Sequence, residues 1–178
     1  SEYRTPNTLS IEGDWSNAAF WLVAGILHQN IVCSGINLQS LQGDKKILKI
    51  LSEFGARFTI LDNAVLPHPS ELHGISIDAS DVPDLVPILA VTAAFAEGKT
   101  TIHHAQRLRD KESDRLASTA SFLRTMGTDI RETADGLVIT GGHPLHGGTV
   151  SSANDHRIAM AAAIAATKAD SPLVINGA

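Results

Sequence analysis

Two short segments of this 178-residue chain gather ionisable side chains more densely than core packing requires. The first is Arg107-Leu108-Arg109-Asp110-Lys111-Glu112-Ser113-Asp114-Arg115, where a helix is expected to begin. If that helix starts at Lys111, the four-residue spacing to Arg115 puts two cations on one face. There they repel by roughly a few tenths of a kcal/mol unless an anion lies between them. A helix start is also the end at which the backbone dipole is already positive, so the segment reads as an anion site for phosphate or carboxylate. The competing reading is a solvated helix start balanced by Asp110, Glu112 and Asp114, since charge runs usually form exposed faces.

The second segment is Asn154-Asp155-His156-Arg157, directly ahead of an uncharged run. Asn154 or Asp155 can cap a helix there, but a cap explains neither His156 nor Arg157. Asp84 follows Pro83 and precedes another uncharged run, a place where a helix start favours an acid in any case. If Asp14, Asp84 and Arg157 mark equivalent helix ends, they converge on one end of the domain. An acid among cations at helix starts would make a phosphate-handling site with a built-in base.

Positioning these residues falls to a unit that recurs about every seventy residues, each copy a helix entered through a polar turn and followed by a strand. The helices are expected over 18–28, 85–97 and 158–168, with strands over 30–33, 100–103 and 173–176. A second helix type, over 44–54 and 111–126, ends at Gly55 and Gly127, residues suited to a left-handed C-terminal cap. Strand pairs follow at 57–61 with 74–78, and at 129–132 with 136–140. Residues 86–95 and 158–167 carry no charge on any face, the pattern of helices buried all round. The economical architecture is α/β, with Ala-rich helices inside and sheets outside; a two-layer sandwich is the alternative. One domain of three units is expected over 1–178, with units at about 8–78, 79–140 and an incomplete 141–178.

Composition narrows the partners. With 43% apolar and 19% charged residues and no long uncharged apolar run, nothing reads as a membrane span. A net charge of −5, a pI near 5.8 and only 4% aromatic residues disfavour nucleic acid, which needs many cations and stacking surfaces. Cys33 is the single cysteine, so no disulfide framework or thiolate metal cluster is expected, which fits a reducing, cytoplasmic compartment. Residues 1–7 lack a secretion-signal pattern, and no Met opens the chain. The strand read over 172–175 has barely begun when the sequence stops, so both ends are expected to be cuts in something longer.

Three segments, Lys111-Glu112-Ser113-Asp114-Arg115-Leu116, Asn154-Asp155-His156-Arg157-Ile158-Ala159-Met160 and Glu12-Gly13-Asp14-Trp15-Ser16, resemble in order and spacing the signatures of the 5-enolpyruvylshikimate-3-phosphate synthase family. The likeness extends over nearly the whole chain. It implies repeated βαβαββ units in an inside-out α/β prism. It also implies an enolpyruvyl (carboxyvinyl) transferase that joins phosphoenolpyruvate to shikimate 3-phosphate, in chorismate and aromatic amino acid biosynthesis, without metal or organic cofactor.

By the same resemblance, Asp84 is the base that contacts the shikimate hydroxyls, and Glu112 exchanges a proton with the enolpyruvyl methylene. Lys111 lies where the two substrates meet, Arg115 and Arg157 hold the anionic groups of phosphoenolpyruvate, and His156 supports them. Arg107 stands where some members carry an Asn that touches the shikimate ring. The partner domain and a late C-terminal Lys lie outside this sequence, so the chain alone is expected to be inactive. Two other readings are a UDP-N-acetylglucosamine enolpyruvyl transferase-like enzyme and a noncatalytic module binding anions or RNA ends.

Overall fold

The computed structural model describes residue 8 and residues 11–178, so the reading of residues 1–7 concerns a segment outside the described residues. Helix α1 (Trp15–Leu27) starts where Asp14 accepts a hydrogen bond from the Ser16 N–H at 2.9 Å. The chain continues through β1 (Cys33–Ser34), a 3₁₀ turn at Gly43–Lys46 and α2 (Ile47–Glu53) into β2 (Arg57–Leu61) and β3 (Ala64–His68). Next come β4 (Ser76–Asp78), a 3₁₀ turn at Pro83–Leu85, α3 (Val86–Phe95) and β5 (Gly98–His103). A 3₁₀ turn at Gln106–Asp110 leads to α4 (Arg115–Thr125), β6 (Asp129–Glu132) and β7 (Leu137–Gly141). The described chain closes with β8 (Gly148–Ser151), α5 (His156–Ala166) and β9 (Leu173–Asn176).

Helix α3 is the axis of the core. Every residue from Val86 to Ala94 is buried, and the helix touches α1, α4 and α5. Its alanines keep neighbouring backbones close, while Ile88, Leu89 and Val91 supply apolar bulk. The sheets lie outside, in the orders β1-β3-β2, β4-β5-β7-β6 and β8-β9, giving the inside-out α/β arrangement. Helices α2 and α4 end alike: Gly55 and Gly127 take φ of +102° and +96°. The next N–H groups, of Ala56 and Thr128, reach back to Leu51 and Leu123.

The structure departs from the sequence reading at several points. Helix α4 begins at Arg115 rather than Lys111, because Asp114 is the cap and accepts from the Ala117 N–H at 3.0 Å. Lys111 and Arg115 therefore share no helical face. The strand expected to close the first unit at residue 78 is β4, which pairs in parallel with β5 and so belongs to the second sheet. Strand β3 was masked in the sequence by Pro67; β1 reaches only Ala64 and Val65, so at Pro67 one edge of β3 is open and a missing N–H is tolerated. Strand β8 carries no strong local signal and was likewise not foreseen. Helix α5 is buried on one face only, through Ile158, Ala161, Ala162 and Ala165. No described helix is long and apolar enough to cross a membrane.

The contrast between α3 and α5 is measurable. Ala90→Leu, in the fully packed helix, is expected to lower the unfolding free energy by about 1–3 kcal/mol. Ala163→Leu, on the exposed side of α5, should stay within about 0.5 kcal/mol of the parent in the same urea titration.

Candidate active site

The starts of α3, α4 and α5 meet around Arg115, which is only 1% exposed. Its Nε donates to Asp155 Oδ2 at 2.7 Å, and its Nη1 to Asp84 Oδ1 at 2.9 Å. Its Nη2 donates to Glu112 Oε2 at 2.6 Å, with a longer contact to Asp155 Oδ1 at 3.4 Å. Burial works against the charge, but Asp155, Glu112 and Asp84 outweigh it and raise the proton affinity above that of an ordinary arginine. In this conformation the guanidinium faces three carboxylates rather than solvent.

Asp155 does two jobs. It caps α5 by accepting the Arg157 N–H at 3.0 Å, and it accepts from Arg115 and from Ser113 Oγ at 3.1 Å. Burial alone would raise its pKa; the Arg115 and Arg157 donors reverse that and hold the carboxyl below its usual range.

Asp84 sits where three cations meet. Besides Arg115, Lys111 Nζ lies 3.6 Å from Oδ1 and Arg157 Nη2 lies 3.7 Å from Oδ2. The acid therefore occupies the space between Lys111 and Arg115 that the sequence reading reserved for an anion. Arg157 also donates from Nη2 to Ser16 Oγ at 3.0 Å, and Ser16 in turn donates to Asp14. Its Nη1 is buried and makes no hydrogen bond with any described residue.

Arg107 and Lys111 line an open cleft with Asp84, Asp44, Asp81 and Gln42. Glu112 and His156 are exposed, in the turn ahead of α4 and in the first turn of α5 respectively. Asp44, from the first 3₁₀ turn, was not foreseen; burial, then the nearby Asp84, push its pKa up against the pull of Arg157. The signal available for it was its position at the start of the second helix type, matching that of Lys111 one unit later. The sequence pattern marks Asp155 as a cap only; its pairing with Arg115 joins residues 40 positions apart and is not legible there.

Arg109, from the same charged run, turns away. It binds Asp114, Glu132 and the Thr133 carbonyl and so ties α4 to β6. Cys33 takes no part: burial pushes its thiol up to about 11, which leaves little thiolate at neutral pH.

Helix starts converging on a buried arginine, within a prism of inner helices and outer sheets, define an enolpyruvyl transferase type of fold. The chain superposes on EPSP synthase from Acinetobacter baumannii with a TM-score of 0.83 and 31% identity, over 94% of this chain and 42% of that one. The enolpyruvyl transferase NikO from Streptomyces tendae shares the fold at a TM-score of 0.72 and 20% identity, over 94% of this chain and 39% of that one. The family model described as EPSP synthase (3-phosphoshikimate 1-carboxyvinyltransferase) matches residues 2–178, and the chain belongs to that family.

Relatives named 3-phosphoshikimate 1-carboxyvinyltransferase include one from Clostridium acetobutylicum, 53% identical over 94% of this chain and 39% of the relative. Another, from Methanococcus maripaludis, is 44% identical over 97% of this chain and 41% of the relative. The chain thus spans about two fifths of the length of the relatives it matches.

Asp155→Asn leaves the buried Arg115 short of its best partner, and is expected to cost about 3 kcal/mol at neutral pH, since Asp84 and Glu112 remain. A carboxyl held below its ordinary value of 3.8 contributes stability that is present above that value and fades as pH falls through the lowered one. Unfolding curves of parent and variant should therefore converge on acidification below about pH 4. A gap that stays constant down to the lowest measurable pH would contradict the role given to Asp155.

Proposed function

We propose that this chain is one domain, built of three units, of a cytoplasmic transferase that joins phosphoenolpyruvate to shikimate 3-phosphate, and that it supplies about half of the active site. The observation that carries this reading is Arg157: a half-buried cation whose buried Nη1 has no partner among the described residues, 3.7 Å from Asp84 through its other amino group. A buried charged donor left unmatched is costly, and a ligand carboxylate or phosphate would satisfy it.

The reaction needs one acid and one base. In this reading Asp84 takes the proton of the attacking hydroxyl, while Glu112 gives a proton to the methylene of phosphoenolpyruvate as the new carbon–oxygen bond forms. The tetrahedral adduct then collapses: Glu112 recovers a proton from the new methyl group, the bond to phosphate breaks, and the proton first taken from the hydroxyl leaves with phosphate. Lys111 lies between the substrates, Arg157 faces the anionic groups, and Arg107 and His156 line the rim. Arg115 contributes mainly by holding Asp84 and Glu112 in place, because its donors already meet three carboxylates.

Charge supports the half-site reading. Arg107, Lys111, Arg115 and Arg157 are matched by Asp44, Asp84, Glu112 and Asp155, leaving no net positive charge to hold two multiply charged substrates. Further cations must come from the part of the relatives' length that this chain does not span.

In the full-length protein, Arg157→Gln should lower kcat/KM at least about a hundredfold in a phosphate-release assay, as loss of a preorganised donor does. A variant within twofold of the parent would remove the reading's main support. The 178-residue chain alone should show no turnover, yet phosphoenolpyruvate should shift the Arg115 and Arg157 amide resonances. Shifts with oligonucleotide only would instead favour a binding module, and turnover with UDP-N-acetylglucosamine would reassign the acceptor.

A further inference from the structure

Strand β5 ends at His103, and the chain then turns at His104 with φ of +57°. Residues other than glycine rarely adopt this conformation, although His does so more readily than most. Consecutive side chains of a strand point to opposite faces, and a left-handed residue interrupts that alternation. The two imidazoles accordingly stand together, with ring centroids 4.7 Å apart. Asp135 secures the turn from behind, its Oδ2 accepting the His104 N–H at 2.9 Å and its carbonyl accepting the Ala105 N–H at 2.7 Å.

Parallel β4 supplies the third group. Asp78 stands in register with His103, and its Oδ2 lies 3.1 Å from His104 Nδ1. One ligand atom from each of Asp78, His103 and His104 lies within 4.8 Å of the other two. The Asp78–His104 contact accounts for one imidazole; it gives no reason for both to gather beside one carboxylate.

We propose that Asp78, His103 and His104 form a binding site for a divalent transition-metal ion such as Zn²⁺ or Ni²⁺, outside the substrate site. Two imidazoles and a carboxylate are a donor set suited to such ions, with water completing the coordination. Bonds of about 2.0–2.1 Å bring tetrahedral ligand atoms to roughly 3.4 Å separation, which small side-chain rotations reach because all three groups are at least partly open to solvent. The ion would join the loop from Asp78 to Asp84 to the loop from His104 to Lys111. Both loops carry residues of the candidate active site, so occupancy would stiffen their relative placement without supplying a reacting group.

The test is calorimetric titration of the chain, prepared without a histidine tag, with zinc and nickel chloride. One ion per chain is expected. His103→Ala and Asp78→Asn should each weaken binding by more than the roughly 10–100-fold that loss of an outer-shell partner costs. His104→Asn, which preserves a residue tolerant of the left-handed turn, should do the same, whereas His146→Ala, whose imidazole pairs with Asp170, should leave affinity unchanged. Co²⁺ should give visible absorption in the parent and not in His103→Ala. Circular dichroism and melting confirm that each variant is folded. No binding up to about 1 mM metal, or binding undiminished in folded His103→Ala, overturns the proposal.

Discussion

A guanidinium removed from water has to be answered by charge from somewhere, and the answer given to Arg115 organises this end of the molecule. Its partners are Asp155 at the cap of α5, Asp84 in the turn before α3, and Glu112 in the turn before its own helix. An uncompensated buried ion costs several kcal/mol, so these three helix starts cannot separate without exposing that cost. Arg157 extends the arrangement to α1 through Ser16. The pairing that registers the helices is thus the same one that gathers the candidate acids and bases.

The division of labour along the helices follows from it. The bodies of α1 and α3 are apolar enough to be enclosed, and α3 carries no polar stripe that would demand solvent on any side. Polar commitments are concentrated at the helix starts, where orphan N–H groups and positive dipole ends already favour carboxylates. Cations enter that setting only because acids are present to meet them. Arg109, close in sequence to Arg115 but tied to β6, shows that a charged run can divide between scaffold and site according to the partners each residue finds.

What was legible in the sequence was what local pattern dictates. The uncharged helices, the glycine-closed ends of α2 and α4 and the convergence of Asp84 with Arg157 all follow from periodicity and repeat symmetry. What was hidden depends on contacts between distant residues. The sequence reading starts α4 at Lys111; its actual start, capped by Asp114, goes with the placement of Arg115 against Asp155, 40 residues away. Proline statistics concealed β3, because whether Pro67 is tolerated depends on how far the neighbouring strand extends. The one-sided burial of α5 depends on its neighbours, not on its composition. Asp78 and His103 meet through a parallel register that no short window of sequence contains.

The carboxylates around Arg115 also constrain what a ligand can do. Their hydrogen bonds engage its guanidinium, so an anion arriving through the open cleft would meet chiefly the ammonium of Lys111 and the exposed Arg107, with the buried Nη1 of Arg157 the remaining unmatched donor. Lys111 is now drawn toward Asp84; shifting it toward a ligand anion would release that oxygen from a competing cation. In the proposed reading, the candidate base Asp84 and the candidate anion site are therefore coupled through shared donors, and filling one changes the other. Fixed dipoles and charges serve catalysis best when they are in place before the ligand arrives. Here the buried Arg115–Asp155 pair is already fixed, while in the proposed reading the cations on the open side exchange a protein carboxylate for a ligand one.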